Sequence, residues 1–473
     1  MQKTKIVATI SDRRCDVQFI KSLYNEGMNV VRLNTAHQTP EDTLAVVKNA
    51  RAVSERIALL LDTKGPEVRV VDFDDKFYLE QGDYISLEGN PEGQSVADHI
   101  FVNYSGFADD VPVGSSVLID DGEVELIVEE KQGNALRCEV QNSGYIKPRK
   151  SVNIPNVTTN LPSVSEKDRK YIKFAAEHDL DFIAHSFVRS KEDVKAVQQL
   201  LDEYNSDAKI IAKIENQQGV DKIDEILEYA YGIMVARGDL AIEIPYEKIP
   251  GVQKMLINKC IEKRKPVIIA TQMLHSMIHN PRPTRAEVSD IASAIYSQAD
   301  AVMLSGESAN GKYPVEAVKT MAKVAREVEN SKDMMNDIPI VVINNKVSDL
   351  LCKSAVEASI NLDTKVIIAD TTSGRTIRSM AAYRGQKPIY AQCYSKRTMR
   401  ELQLCYGVFT DFMSPRETSH EFIIHAINHL EEEHEFNKDD MVVVLAGNFG
   451  RSAGASYIEI GSIKNLIGHL KRD

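Results

Sequence analysis

Cysteine is scarce and scattered in this chain. Cys15, Cys138, Cys260, Cys352, Cys393 and Cys405 form no CxxC pair and no cluster. That spacing argues against a disulfide framework and a structural zinc site, and fits reduced thiols in a cytoplasm. Basic runs are missing too. Asp and Glu outnumber Lys and Arg 69 to 57, for a net charge of −12. An acidic chain without a basic patch repels phosphodiester backbones and has no stripe for a membrane surface, so neither nucleic acid nor membrane is an expected partner. No apolar segment approaches the roughly 18 residues that a membrane-spanning helix needs. Met1–Ser11 lacks the apolar stretch of a signal peptide. There is no internal repeat and no low-complexity tract.

What the chain does have is rhythm. Its 473 residues are 43% apolar and 27% charged, ordinary values for a globular protein and enough to bury more than one core. Short apolar runs alternate with helical patterns, the mark of parallel β/α units. Strands are expected at Lys5–Ile10, Asn29–Leu33 and Ile57–Leu61. Thr39-Pro40-Glu41-Asp42 supplies an N-cap, an N1 proline and early acids for a helix running to about Ser54. From Val70 to Ile154 the pattern changes to short alternating strands separated by turn residues such as Gly89-Asn90-Pro91 and Asp121-Gly122. After Pro155 the β/α rhythm returns, with strands expected at Phe182–His185, Lys209–Ile214, Gly232–Ala236, Val267–Ala270 and Ala301–Leu304. The two halves add up to roughly eight units, enough to close a (β/α)8 TIM barrel. The expected fold is therefore α/β. A discontinuous barrel covers 1–69 and 155–336, an inserted all-β lid domain 70–154, and a C-terminal α/β domain 337–473. Strands in that last part are expected at Val366–Ala369, Ile389–Ala391 and Met441–Leu445.

A barrel of this kind carries its chemistry at the C-terminal ends of its strands. Those ends are dense in polar groups: Arg32, Asn34 and His37; Asp62, Thr63 and Lys64; Ser186 and Arg189; Lys213, Glu215 and Asn216; Arg237, Gly238 and Asp239; Thr271 and Gln272; Ser305 and Glu307. Glu215 and Asp239 follow consecutive strands. Two carboxylates without His or Cys suit magnesium or manganese, although two acids capping helices would look the same. Lys213 lies two residues before Glu215, so both point to one face. A structural ion pair is the plainer reading of that lysine.

The segment Ile211-Ala212-Lys213-Ile214-Glu215-Asn216 resembles the active-site signature of the pyruvate kinase family. In the same order the chain also matches that family at Arg32-Leu33-Asn34, Asp62-Thr63-Lys64-Gly65-Pro66-Glu67, Ala236-Arg237-Gly238-Asp239, Ala270-Thr271-Gln272-Met273 and Leu304-Ser305-Gly306-Glu307. The resemblance implies a kinase of glycolysis that moves a phosphoryl group from phosphoenolpyruvate to ADP, giving pyruvate and ATP. It implies that Arg32 and Lys213 clamp the phosphoryl group, that Glu215 and Asp239 hold magnesium, and that Ser186, Gly238, Asp239 and Thr271 contact substrate. Thr271 would help protonate the enolate. Asn34, His37, Arg69 and Lys150 would face the nucleotide.

The family's potassium site maps onto Asn34, Asp62 and Thr63, but its serine is Ala36 here. One ligand is lost, and an altered potassium dependence follows; Glu67 resembles the potassium-dependent branch and Val70 the independent one. A loop from Thr371 through Thr372, Ser373, Gly374 and Arg375 to Thr376 is similar to the sugar-phosphate effector loop of the family's allosteric members. A nucleotide effector is the alternative. A second loop, Gly447 to Gly454, also follows a strand. The resemblance further implies a cytoplasmic homotetramer. Two other classes share parts of this pattern. A barrel lyase acting on enolpyruvate would need no ADP, and an inactive sensor would have no use for Lys213, Glu215 and Asp239.

Overall fold

The computed structural model describes all residues except 1, 37, 332–337, 341, 344, 417, 434–435, 448–453 and 471–473. Eight parallel strands close a barrel: β1 (Lys5–Thr9), β2 (Val30–Asn34), β3 (Ala58–Asp62), β4 (Phe182–His185), β5 (Lys209–Ile214), β6 (Gly232–Ala236), β7 (Val267–Ala270) and β8 (Ala301–Leu304). Each pairs with its sequence neighbours, and β8 pairs back to β1 in the register Ala8↔Leu304. The predicted capping segments form as expected. Thr39 caps the helix Pro40–Val53 in a reciprocal box with Asp42, and Ser190 caps the helix Lys191–Glu203.

Successive strand residues face opposite sides, and this period organises the whole barrel. Val7, Val30, Ala58, Leu60, Phe182, Ala184, Ile211, Met234, Ile268, Ala270, Ala301 and Met303 pack together as the interior. Their neighbours in sequence, among them Leu59, Leu61, Ile183, Ala212 and Val235, pack outward against the helices. The interior is closed at the bottom by Leu404, which comes from the C-terminal part of the chain. Lys5, also buried at that end, donates to the carbonyl of Val408 and lies 4.6 Å from the centre of the Phe409 ring.

The segment inserted between β3 and β4 folds as a six-stranded and a two-stranded sheet around Leu87, Val102, Phe107, Leu126 and Leu136. It is not purely β, because Phe107–Asp110 forms one short helical turn. The C-terminal sheet has five strands: β9 (Val366–Thr371), β10 (Ile389–Cys393), β11 (Val408–Phe412), β12 (Met441–Gly447) and β13 (Ala455–Ser462). Its order is β11-β10-β9-β12-β13, parallel except for β13. Separate apolar clusters cover its two faces. Two of these strands, β11 and β13, were not expected from the sequence. All six cysteines are free, five of them buried. Among the described residues no helix is long and apolar enough to cross a membrane.

Candidate active site

The parity that fills the barrel also builds the site. Continuing the inward-facing series one step past the apolar layers gives Thr9 after Val7, Arg32 after Val30, Asp62 after Leu60, Ser186 after Ala184, and Lys213 after Ile211. These side chains meet above the core. Arg32 Nε lies 2.6 Å from Asp62 Oδ2, and Arg32 Nη1 donates to Thr9 Oγ1 at 3.0 Å. Lys213 Nζ lies 3.1 Å from Asp62 Oδ1, 2.7 Å from Ser186 Oγ and 3.1 Å from Glu215 Oε1. Glu215 Oε2 accepts the Phe187 N–H at 2.6 Å. Phe187 holds a left-handed backbone, φ 55°, that turns its N–H into the site.

Electrostatics follow from this packing. Burial works against the charge of Asp62, but Arg32 and Lys213 outweigh it and hold its carboxyl below the usual range. Burial also opposes the charge of Lys213, and Asp62 and Glu215 outweigh that, raising its pKa. Glu215 goes the other way. Burial pushes its carboxyl up despite Lys213, and Asp239 beside it adds to the rise. Burial raises Asp239 as well, and its carboxyl shares a hydrogen bond with Glu215. Two buried carboxylates held together with one lysine between them carry more negative charge than the pocket neutralises. A hard divalent cation fits this all-oxygen pair. Among the described residues no group of three or more His, Cys, Asp or Glu side chains is placed to hold a metal alone. A cation here needs further oxygens from substrate or water.

Thr271 directly follows β7 and has φ 69°. Its Oγ1 accepts the Gly238 N–H at 2.9 Å and donates to the Ala270 carbonyl at 2.7 Å. A cleft of about 510 Å³ opens between barrel and insert, lined among others by Glu67, Arg69, Asp120, Lys150, Phe187 and Asp239. Lys150 Nζ pairs with Asp120 at 2.8 Å; Arg69 pairs with Glu67 at 2.8 Å and donates to the Arg149 carbonyl at 2.7 Å. Asn34 Oδ1 accepts the Ala36 N–H at 3.1 Å. Thr63 Oγ1 faces the Ala184 carbonyl, His185 Nδ1 and the Ser186 N–H at 3.2–3.4 Å. His37 lies outside the described residues.

Some rim residues serve the scaffold instead. The Arg189 guanidinium is bound to Asp193 and to the carbonyls of Thr159 and Leu161. Asn216 caps the helix Gln217–Asp221. Glu307 is buried and accepts the N–H groups of Leu274 and Ser305. Thr9, the partner of Arg32, was missed; its place two residues after Val7 in the inward series is the signal that finds it. In the C-terminal sheet, Thr371 Oγ1 accepts the Gly374 N–H at 2.8 Å, so that hydroxyl shapes its own loop. Thr372, Ser373 and Arg375 are exposed, and Thr376 is half-buried at the start of the helix Arg375–Ala382. Most of the second loop, 448–453, lies outside the described residues.

Buried cations and a carboxylate pair thus lie at the C-terminal mouth of a β/α barrel, beneath an inserted β segment, an arrangement suited to holding small phosphorylated anions. Family models agree. "Pyruvate kinase, barrel domain" matches residues 1–318, and "Pyruvate kinase, alpha/beta domain" matches 349–460. The chain is 46% identical over 469 residues to a pyruvate kinase of Borreliella burgdorferi, covering 98% of each. It is 42% identical over 480 residues to that of Bacillus licheniformis, covering 99% of this chain and 81% of the relative. A crystal structure of a pyruvate kinase from Cryptosporidium parvum superposes with a TM-score of 0.91 at 35% identity, covering 98% of this chain and 96% of the other. The chain belongs to the pyruvate kinase family. It is a metal-dependent kinase of glycolysis, with phosphoenolpyruvate and ADP as substrates and pyruvate and ATP as products.

Proposed function

We propose that the reaction runs on the cluster around Lys213, and the observation that carries this is the lysine's triple contact with Asp62, Ser186 and Glu215. Phosphoryl transfer asks the protein mainly for positioning and for cations along the path of the charge. Arg32, fixed by Asp62 and Thr9, presents the rest of its guanidinium to the phosphoryl oxygens. Lys213 remains charged and follows the phosphoryl group as it leaves one oxygen for another. Glu215 and Asp239 hold magnesium, or manganese, which supplies charge neutralisation for substrate oxygens when bound. The Gly238 N–H and the Thr271 hydroxyl, now bonded to each other, are free to turn to the substrate carboxylate. Thr271 then relays a proton through water toward the enolate carbon.

The nucleotide occupies the cleft beneath the insert, residues 70–154, which acts as a lid. Asn34, His37, Arg69 and Lys150 face it, Lys150 exchanging Asp120 for phosphate. The boundaries between the three domains fall at 69/70, 154/155 and 336/337, the last of them outside the described residues. The loop Thr371–Thr376 takes a sugar phosphate or a nucleotide as effector, using the uncapped N-terminus of the helix Arg375–Ala382. The molecule works in the cytoplasm as a homotetramer.

Potassium binding is weak in this reading. Asn34, Asp62 and Thr63 already have partners within the chain, and Ala36 offers no side-chain oxygen. Pyruvate formation with ADP and magnesium, with and without potassium, tests this. The chain should respond little to potassium and the Ala36→Ser variant several-fold more; an identical response in both removes the idea. For the divalent site, Glu215→Gln should weaken Mn2+ binding, read by electron paramagnetic resonance, at least tenfold. Unchanged Mn2+ affinity would take Glu215 out of the metal site.

A further inference from the structure

The turn that presents Thr271 is strained, and one side chain holds it. Thr271 and Gln272 both have positive φ, 69° and 55°, and neither is glycine. A β-branched residue in the left-handed region is a true outlier that persists only where its surroundings impose it. The surroundings here are Arg237, the first residue after β6. Its Nε donates to the carbonyl of Ala270 at 3.3 Å, and its Nη2 to the carbonyl of Thr271 at 2.7 Å. The same Nη2 lies 2.8 Å from Met273 Sδ. The remaining arm, Nη1, pairs at 2.7 Å with Asp290 on the helix Arg285–Tyr296. Three faces of one planar guanidinium are thus spent on a single turn and on the acid that orients it.

No charge on Arg237 faces the Lys213 cluster: its described partners are two carbonyls, a thioether and Asp290. Next to it in sequence, the Gly238 N–H reaches the other side of Thr271 and meets the hydroxyl at 2.9 Å. Arg237 therefore fixes Thr271 through its carbonyl, while the hydroxyl stays on the Gly238 side and can exchange that bond for substrate. Ala270 and Ala236 are also direct partners in the β6–β7 ladder, so the grip sits on two paired strands rather than on a free loop.

We propose that Arg237 is a positioning residue for the proton-transfer half of the reaction. Its guanidinium, oriented by Asp290, locks Thr271 in the left-handed turn and so aims its hydroxyl at the enolate. A lysine could keep the charge but not bridge two carbonyls and a carboxylate in one plane. This rests on the reading of Thr271 as the proton relay, and the experiment separates the two.

Exchange of solvent deuterium into the methyl group of pyruvate reports proton transfer apart from net turnover. It would be measured, with kcat and KM for phosphoenolpyruvate, in Arg237→Lys, Asp290→Asn, Thr271→Ala and the Arg237→Lys/Thr271→Ala pair. Arg237→Lys should lower kcat and exchange together by tenfold or more, with KM within about threefold. Asp290→Asn should act in the same direction and more weakly. The double variant should exchange no more slowly than Thr271→Ala alone, because both changes remove one device. The clamp is overturned if Arg237→Lys raises KM at constant kcat, or if the double variant shows additive losses. Should Thr271→Ala exchange at the full rate, the relay itself is wrong and the clamp falls with it. Asp290→Asn removes no contact to the turn directly, so it keeps the proposal testable if Arg237→Lys fails to fold.

Discussion

The barrel has buried ion pairs at both ends, built from the same residue types, and the two ends behave oppositely. At the bottom, Asp300 accepts two bonds from Arg384, at 2.8 and 2.7 Å, and one each from the N–H groups of Tyr406 and Val267. Both oxygens are doubly satisfied. At the top, Asp62 is met by Arg32 and Lys213, yet Glu215 and Asp239 press two carboxylates together with their pKa values raised. At the bottom the carboxylate of Asp300 is saturated, whereas the top holds unspent negative charge beside a half-used guanidinium. A saturated pair fixes structure, and an unsaturated one waits for a ligand. Burial alone therefore does not mark a functional site; incomplete pairing within burial does.

The sharpest way to test this contrast is Lys213→Met. Turnover should fall about a thousandfold or more, the scale of losing a charge-stabilising group in such reactions. Its thermal unfolding should shift less than that of any bottom variant, since Asp62 keeps Arg32 and Glu215 can take up a proton. A full-rate Lys213→Met enzyme would break the comparison outright. Next is Arg384→Leu, which strands Asp300 without its cation and should destabilise by about 3–5 kcal/mol, the range for breaking a buried pair. Calorimetry reads the loss, and activity per folded molecule should stay within about twofold. Equal effects on activity from both ends would erase the distinction.

A smaller effect lies in the barrel wall. His185 is fully buried one residue before Ser186, and burial lowers its pKa to about 4. The unfolded chain binds a proton near the ordinary 6.5 while the folded one does not. Stability is therefore complete above that pH and falls as pH drops from 6.5 toward 4, by up to about 3 kcal/mol. His185→Gln should flatten unfolding temperature against pH across this window; an unaltered slope would place the titration elsewhere.

Much of the barrel was legible because one rule, the alternation of inward and outward residues, governs both core and rim. Five of its eight strands fall at the expected residues, and β1, β2 and β3 differ by a single position at their ends. The same rule places Lys213 and Glu215 on one face, and the structure holds them 3.1 Å apart. What it could not reveal are partners distant in sequence. Nothing near Arg237 announces that its guanidinium binds the turn after β7, and nothing near Glu307 shows that it accepts the Leu274 N–H. Both were grouped with the rim chemistry by position alone. The strand β13 escaped because it lies antiparallel at a sheet edge with mostly half-exposed residues, which blurs its pattern. The strand β11, Val408–Phe412, is short and starts directly after Gly407, whose φ of 69° reads as a turn.

Leu404 in the barrel floor and the bond from Lys5 to Val408 also set a schedule. The two ends of that bond are 403 residues apart. A ribosome adding about 5–20 residues per second needs on the order of 20–80 seconds to deliver the second after the first. For roughly the first three-quarters of that time β1 lacks its β8 partner, Ala301–Leu304, and throughout it the barrel interior lacks its floor. β1 thus keeps an open edge until β8 is made, and the floor beneath it stays open until Leu404 and Val408 follow.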